Sequence, residues 1–344
     1  MSNSDSDKTR CRIIVDAMGG DFAPYSAVVG AIQASTENSK IELYLVGKSE
    51  EILKIISSNN LSFNKENIIN ADEVIGMAEG PTASLKAKPN SSIVVGTKLV
   101  HEKKADAFVS AGNTGAVMAA ATLIIGRIPG VGRPTIGQPM PNTTGISTLF
   151  DVGASVDSKP RHLLEYAIMG TIFTKEIYGI ENPKVGVLSV GEEEAKGNEV
   201  TIAAAALIKK TNLNFVGNVE GRDILKGTVH VVVCDGFVGN IVLKFGESVL
   251  DFLKYKFKDY AKKSLINKLK IGLVKGSMKE ILKDFDYQEY GGVPLLGVNG
   301  ISIIGHGSST PKAIKNMVFR AYEMYQKDLI LKIENSIRQY SNLT

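Results

Sequence analysis

Cysteine is nearly absent from this 344-residue chain, with Cys11 and Cys234 the whole supply. Two cysteines build no disulfide framework, and neither lies in a CxxC or Cys/His spacing that holds zinc. A reducing compartment and no metal are the expectations. Charge of one sign is also lacking: the formal net charge of +4 excludes the strongly basic balance of a general nucleic-acid binder, so no nucleic-acid partner is expected. The opening MSNSDSDKTR carries Asp5 and Asp7 and lacks the positive-then-apolar order of a secretory signal; residues 1–10 read as a disordered tail of a cytoplasmic protein.

Long hydrophobic runs are missing too. Residues 107–126 carry no charge, but the SAGNTG turn splits them into a strand end and a short helix, each too short to cross a bilayer. No GxSxG elbow and no HExxH is present, which leaves Ser-His hydrolysis and zinc chemistry without support.

What is present is an ordinary globular composition, 44% hydrophobic and 22% charged, enough for a substantial core. RIIVDAMGG, IELYLVG, ADAFVSAG, KVGVLSVG and HVVVCDGFVG are β-branched or aliphatic runs that stop at glycine, as strands covered on both faces do. Helical patterns at 25–36, 50–56, 91–103, 163–178 and 199–209 lie between them. This rhythm predicts an α/β, Rossmann-like fold, a largely parallel sheet with helices on both faces. TIGQPMPNTTGISTLFDVGA reads as a hairpin turning at 141–145. Residues 247–290 depart from the rhythm and read as a protruding arm of two helices, interrupted around Gly272 and Gly276. The expected division is therefore a catalytic core over 11–246, the arm over 247–290, and a C-terminal part of the core over 291–344, closed by one helix over 311–339.

Ligands of open α/β sheets gather at the carboxyl ends of strands. DAMGGD brings Asp16, Gly19, Gly20 and Asp21 there; DVGASVD brings Asp151; CDGFVGN brings Asp235 and Asn240. In SAGNTG, Gly112 and Gly115 let the backbone approach an anion, Ser110, Asn113 and Thr114 add donors, and the following helix offers unpaired N–H groups. Phosphate is the expected anion, although the turn also suits a plain strand-to-helix connection. Lys196 in GEEEAKGNE either places a cation on phosphate or a developing oxyanion or belongs to a solvated charge run. Asn240 either polarises a carbonyl or caps a helix starting at Ile241. Cys234 reads as core. Of the four histidines, His306 in IIGHGSS alone sits on a glycine-flanked strand end, as a structural residue or a general base.

IVDAMGGDFAP, GPTASLKAKPNSS, ADAFVSAGNTGAVMA, GRPTI, the DVGASVDSKPRHLLEYAIMG run, GVLSVGEEEAKGN, VVVCDGFVGNIVLK, YGGVPLLGVNG and HGSS together resemble the bacterial phosphate acyltransferases of phospholipid synthesis. The resemblance runs over 12–244 and resumes over 291–313. It implies a fold like those of phosphotransacetylase and isopropylmalate dehydrogenase. It also implies transfer of a long fatty acyl group from acyl carrier protein to inorganic phosphate, with no cofactor. The acyl phosphate product would go on to a membrane-bound glycerol-3-phosphate acyltransferase. Homodimers at the membrane surface are implied as well. Lys196 and Asn240 become the catalytic pair and SAGNTG the phosphate grip. Two positions depart from the family's pattern. Ser155 stands where Asn is usual, losing an amide, and Lys86 stands where Arg is usual, keeping charge but losing the bidentate fork. The rival readings are a short-chain phosphotransacetylase acting on acyl-CoA and a non-catalytic lipid-surface scaffold.

The arm carries ten lysines over 254–283 against Asp259 and Glu280, with apolar residues interleaved. Leu269, Ile271, Leu273 and Val274 are expected to face an anionic membrane surface; a dimer-contact helix pair with a solvated lysine face is the alternative.

Overall fold

The computed structural model describes residues 10–343. The tail expected over 1–10 thus lies outside the described residues, except for Arg10. Eleven strands form one sheet: β1 (Cys11–Asp16), β2 (Ile41–Gly47), β3 (Ile68–Asn70), β4 (Ala107–Ser110), β5 (Thr135–Asn142), β6 (Gly145–Phe150), β7 (Val185–Leu188), β8 (Phe215–Val219), β9 (Val231–Val233), β10 (Val293–Leu296) and β11 (Ile301–Ile304). Their spatial order is β3-β2-β1-β4-β11-β10-β5-β6-β9-β7-β8. Seven neighbouring pairs are parallel and three, all around β10 and β5, antiparallel, so the sheet is largely parallel as expected. The expected hairpin is β5–β6, turning at Thr143 and Thr144.

The helices are α1 (Tyr25–Glu37), α2 (Ser49–Ser58), α3 (Pro81–Ala87), α4 (Ser92–His101), α5 (Thr114–Ala120), α6 (Pro160–Tyr178), α7 (Glu199–Ile208), α8 (Gly221–Lys226), α9 (Gly236–Lys262), α10 (Leu265–Ile281), α11 (Pro311–Gln326) and α12 (Leu329–Gln339). They cover both sheet faces, because successive strand residues point to opposite sides. Ile13 and Val15 of β1 pack in one cluster with residues of α1, α6 and α11. Ile14, between them, packs in a second cluster with residues of α4 and α5. Among the described residues no helix is long and apolar enough to cross a membrane.

The three antiparallel pairs have a consequence for the site. β1, β4 and β11 run one way and β6, β9, β7 and β8 the other, so in a flat sheet their carboxyl ends would lie on opposite edges. Strands twist by about 20–25° per neighbour. Over the six steps from β1 to β9 this accumulates to about 120–150°, which turns the two opposed strand directions to within about 30–60° of one another.

Three sequence expectations need correction. The arm breaks at Lys263 and Ser264, where Ser264 caps α10 by accepting from Asn267 N, while Gly272 and Gly276 lie inside α10. The boundary after 246 falls within α9, which starts at Gly236 and runs unbroken from core to arm. The closing helix is two, α11 and α12, separated where Asp328 turns left-handed at φ 50°. Beyond Gly239 no residue of α9 is fully buried, and no described side chain of α10 is.

Candidate active site

The expected residues fall into three groups. In the first, the ends of β1, β4 and β11 meet. Asp16 is buried, accepting from Ser110 Oγ at 2.7 Å and from Met18 N at 3.0 Å. Burial pushes its carboxyl above the ordinary value, against those hydrogen bonds. Gly19 is required because a Cβ there would lie 2.6 Å from the Gly112 nitrogen. Asp21 N donates to Gly307 O at 2.7 Å, and His306 Nδ1 lies 2.7 Å from Ser308 Oγ.

Several expected phosphate donors in this group are already engaged. Gly112 N donates to Ser110 Oγ at 3.0 Å. Asn113 Oδ1 caps α5 by accepting from Ala116 N at 3.0 Å, while its amide donates to the carbonyls of Gly76, Met77 and Glu79 at 3.0, 3.2 and 2.9 Å. Asn113 is thus a clamp on the strap 74–80, which Lys88 also holds through Val74 O at 2.7 Å. Among the described residues the N–H groups of Thr114 and Gly115 have no acceptor. The anion-facing part of SAGNTG reduces to these two, with Thr114 exposed.

The second group joins the ends of β6 and β9. Asp151 is fully buried, and its Oδ1 accepts from Gly153 N at 3.1 Å and Ala154 N at 2.9 Å. Its Oδ2 has no hydrogen-bond partner among the described residues. Burial pushes its carboxyl up to about 6. Asp235 caps α9, accepting from Val238 N at 2.9 Å. There is no room for a Cβ on Gly236 or Gly239, which press against Ser155 O and Asp151 O. Asn240 therefore sits a full turn inside α9 rather than at its start, and its amide donates to Val152 O at 3.2 Å. Its exposed side chain packs beside Gly153. Cys234 is buried as expected, its thiol pushed well up by burial first and by the Asp151 charge second.

Lys196 stands apart in the third group, at the end of β7. Its carbonyl accepts from Ser189 Oγ at 3.0 Å and Asn218 Nδ2 at 3.1 Å, which fixes the loop. Glu192 pairs with Arg222 and Glu194 with Lys209; the exposed Lys196 ammonium makes no ion pair among the described residues.

A cavity of about 430 Å³ is lined by Met118 and Thr122, which follow the turn of the first group, by Ala154 of the second group, and by Leu295, Arg127 and Arg133. Gly112, Lys196 and Asn240 do not line it. Met118 follows Thr114 by one helical turn, on the same face of α5. Arg127 and Arg133 were not expected as site residues. They sit in the irregular connection between α5 and β5, which lines the cavity together with Leu295 and Ala154. Among the described residues no group of three or more His, Cys, Asp or Glu is placed to hold a metal.

The scaffold that carries these strand-end clusters is an α/β fold shared by solved structures. EutD phosphotransacetylase from Staphylococcus aureus superposes with a TM-score of 0.58 at 16% identity, covering 92% of this chain and 94% of that one. A phosphotransacetylase from Streptococcus pyogenes gives 0.59 at 19%, covering 95% and 94%. The fold is therefore that of the phosphotransacetylases. A family described as fatty acid synthesis protein matches residues 11–332. Proteins named phosphate acyltransferase are 49% identical in Pelotomaculum thermopropionicum, over 326 residues and 95% of both chains, and 49% identical in Desulfitobacterium hafniense, over 331 residues, 96% of this chain and 98% of that one. The chain belongs to this family of phosphate acyltransferases and is an enzyme of the acyltransferase class.

Proposed function

We propose that the chain transfers a long-chain fatty acyl group from the thioester of acyl carrier protein to inorganic phosphate, giving acyl phosphate for phospholipid synthesis. The near-full-length identity with proteins named phosphate acyltransferase carries this reading. The chemistry agrees with it. Phosphate is already an anionic nucleophile near neutral pH, so no activated side chain is needed, and the one thiol at the strand ends is buried with its ionisation suppressed.

In this reading the unpaired N–H groups of Thr114 and Gly115, at the positive end of α5, receive phosphate oxygens. Lys196 offsets the charge of phosphate approaching the thioester. Asn240, released from Val152 O, donates to the tetrahedral oxyanion. The three come from separate strand ends, so closure of the cleft around substrate is part of the proposal. The reaction needs no cofactor. We further place the enzyme as a homodimer in the cytoplasm, peripherally on the anionic inner face of the membrane, where a membrane-bound glycerol-3-phosphate acyltransferase takes the product.

Phosphate-dependent release of carrier-protein thiol tests the reaction, with acetyl-CoA beside it to separate a short-chain phosphotransacetylase. Lys196→Ala and Asn240→Ala should each lower kcat by on the order of 100- to 1,000-fold, the cost of one lost oxyanion donor, with the fold intact by circular dichroism. Near-normal turnover in both variants would remove these roles.

A further inference from the structure

The cavity lined by Met118, Ala154 and the two arginines is too large for an ion and suited to a slender organic ligand. Its volume of about 430 Å³ lies within the roughly 300–1,000 Å³ of small-molecule clefts, which are mostly apolar with a few placed polar groups. Its lining includes the apolar Met118, Leu123 and Leu295 and two arginines, Arg127 and Arg133, and no carboxylate. Such a cavity fits a chain with an anionic head and a weakly polar body.

The lip that carries the arginines is built to stay in place. Arg127 donates to Gly132 O at 2.5 Å, and Gly132 N donates to Glu165 Oε2 at 2.8 Å. Glu165 is buried on α6 and accepts from Arg161 Nε at 2.8 Å, while Arg161 also reaches Gly130 O at 3.0 Å. Arg133 is held by Ser155 Oγ at 3.1 Å and by Asp157 at 2.7 Å. Asp157 is 72% exposed, so an incoming anion can replace it. Guanidinium is the group whose fork matches phosphate oxygens in two parallel hydrogen bonds.

We propose that this cavity seats the phosphopantetheine arm of the acyl donor, with Arg127 and Arg133 taking its phosphate and the apolar residues its amide chain. The inference rests on the acyl-transfer reading above and deepens it. The lining supports it: Met118 lies on the α5 face that starts at Thr114, and Ala154 adjoins Gly153, against which Asn240 packs. An arm anchored at the arginines extends its thioester toward the gap between Thr114 and Asn240. Carrier protein and coenzyme A both present this phosphate-bearing arm.

The test uses the full chain, saturating inorganic phosphate, and one acyl group on carrier protein, on coenzyme A and on pantetheine lacking phosphate. Arg127→Ala and Arg133→Ala should each raise KM for the phosphate-bearing donors about tenfold or more, the scale of a lost charge-assisted hydrogen bond. KM for acyl-pantetheine and for inorganic phosphate should stay put. Because Arg127 also braces the lip, Leu123→Glu is the second variant: Leu123 is 66% exposed, and a carboxylate there should repel the same donors without threatening the fold. A loss seen only with carrier protein or only with coenzyme A assigns the seat to that source. Unchanged KM for all donors, or a rise for inorganic phosphate alone, overturns the proposal. Should the wild type release no thiol from any donor, the acyl-transfer reading fails instead, and equilibrium binding of phosphopantetheine against pantetheine to wild type and Arg133→Ala still decides the seat.

Discussion

Ser110 Oγ donates a 2.7 Å hydrogen bond to Asp16 Oδ2, tying the end of β4 to the end of β1 beneath the turn that opens α5. The carboxyl is 1% exposed, and burial raises its affinity for a proton. A folded-state value above the unfolded one means that stability falls as pH rises through the carboxylate range and beyond. The Ser110 donor opposes that fall because it favours the charged form. Ser110→Ala also leaves the Gly112 N–H without its acceptor and should cost about 1–3 kcal/mol, a cost that does not shrink as pH rises. Urea unfolding at pH 4 and at pH 7 measures both; a loss that shrinks as pH rises would mean that Ser110 does not favour the charged form of Asp16.

Asp151, the counterpart of Asp16 at the end of β6, gives a sharper pH signature. Its carboxyl is pushed from 3.8 up to about 6 by burial. The folded state then binds a proton that the unfolded state has released, and stability contributed by this group is lost as pH rises from about 4 to about 6. The loss is about 3 kcal/mol. Asp151→Asn keeps an oxygen for the Gly153 and Ala154 N–H groups and removes the charge. Relative to wild type it should gain stability steadily across that interval and level off above it. A difference that does not change with pH would show that Asp151 is ionised at ordinary cost.

The sheet and its strand ends were legible because buried parallel strands leave a coarse signal, an aliphatic run closed by glycine, and that signal depends on near neighbours only. The arm break was not. Glycine inside a helix costs only about 1 kcal/mol, so Gly272 and Gly276 are tolerated within α10, while the modest Ser264 cap marks the true start. Asn240 was misplaced for a similar reason: Asp235 takes the cap five residues earlier and leaves Asn240 inside the helix. The two arginines of the cavity were illegible because they lie in an irregular connection that no helix or strand period marks, and Ala154 and Leu295, which complete the lining, are distant in sequence. Asn113 was legible as a polar residue at the right turn, but its three carbonyl partners lie 34–37 residues earlier in the chain.

That clamp is separable from the helix cap. Asn113→Asp keeps the oxygen that accepts from Ala116 N and replaces the donors to Gly76, Met77 and Glu79 with a group that repels their carbonyls. Hydrogen exchange should quicken over 74–80 while α5 stays protected, and stability should drop by about 1–3 kcal/mol. Asn113→Ala should loosen both segments. If the strap exchanges at the wild-type rate in Asn113→Asp, then Lys88 on Val74 O, with Glu79 Oε1 accepting from Gly76 N at 2.7 Å, is sufficient to hold it.

The arm offers two apolar surfaces whose roles differ by position. On α9, Phe245 and Phe252 are 69% and 57% exposed; on α10, Leu269 and Leu273 are 67% and 84% exposed one turn apart, with Val274 beside them. Ile271, expected on the same face, is only half-exposed, which removes it from the best lipid-contact positions. Contiguous exposed apolar area of this kind marks an interaction surface. The face on α9 adjoins the core and suits a second copy of the chain; the face on α10, set among lysines, suits anionic lipid. Replacing Leu269 and Leu273 together with Asp removes about 1.5–3 kcal/mol of transfer free energy per side chain, so flotation with anionic liposomes should weaken at least about 100-fold while sedimentation still reports a dimer. Raising salt should weaken wild-type flotation, since the lysine contribution is screened. Phe245→Asp with Phe252→Asp should do the reverse, giving monomers that still float. If the α10 variant floats like wild type, lipid is not what that face meets; if the α9 variant remains dimeric, the copies join elsewhere.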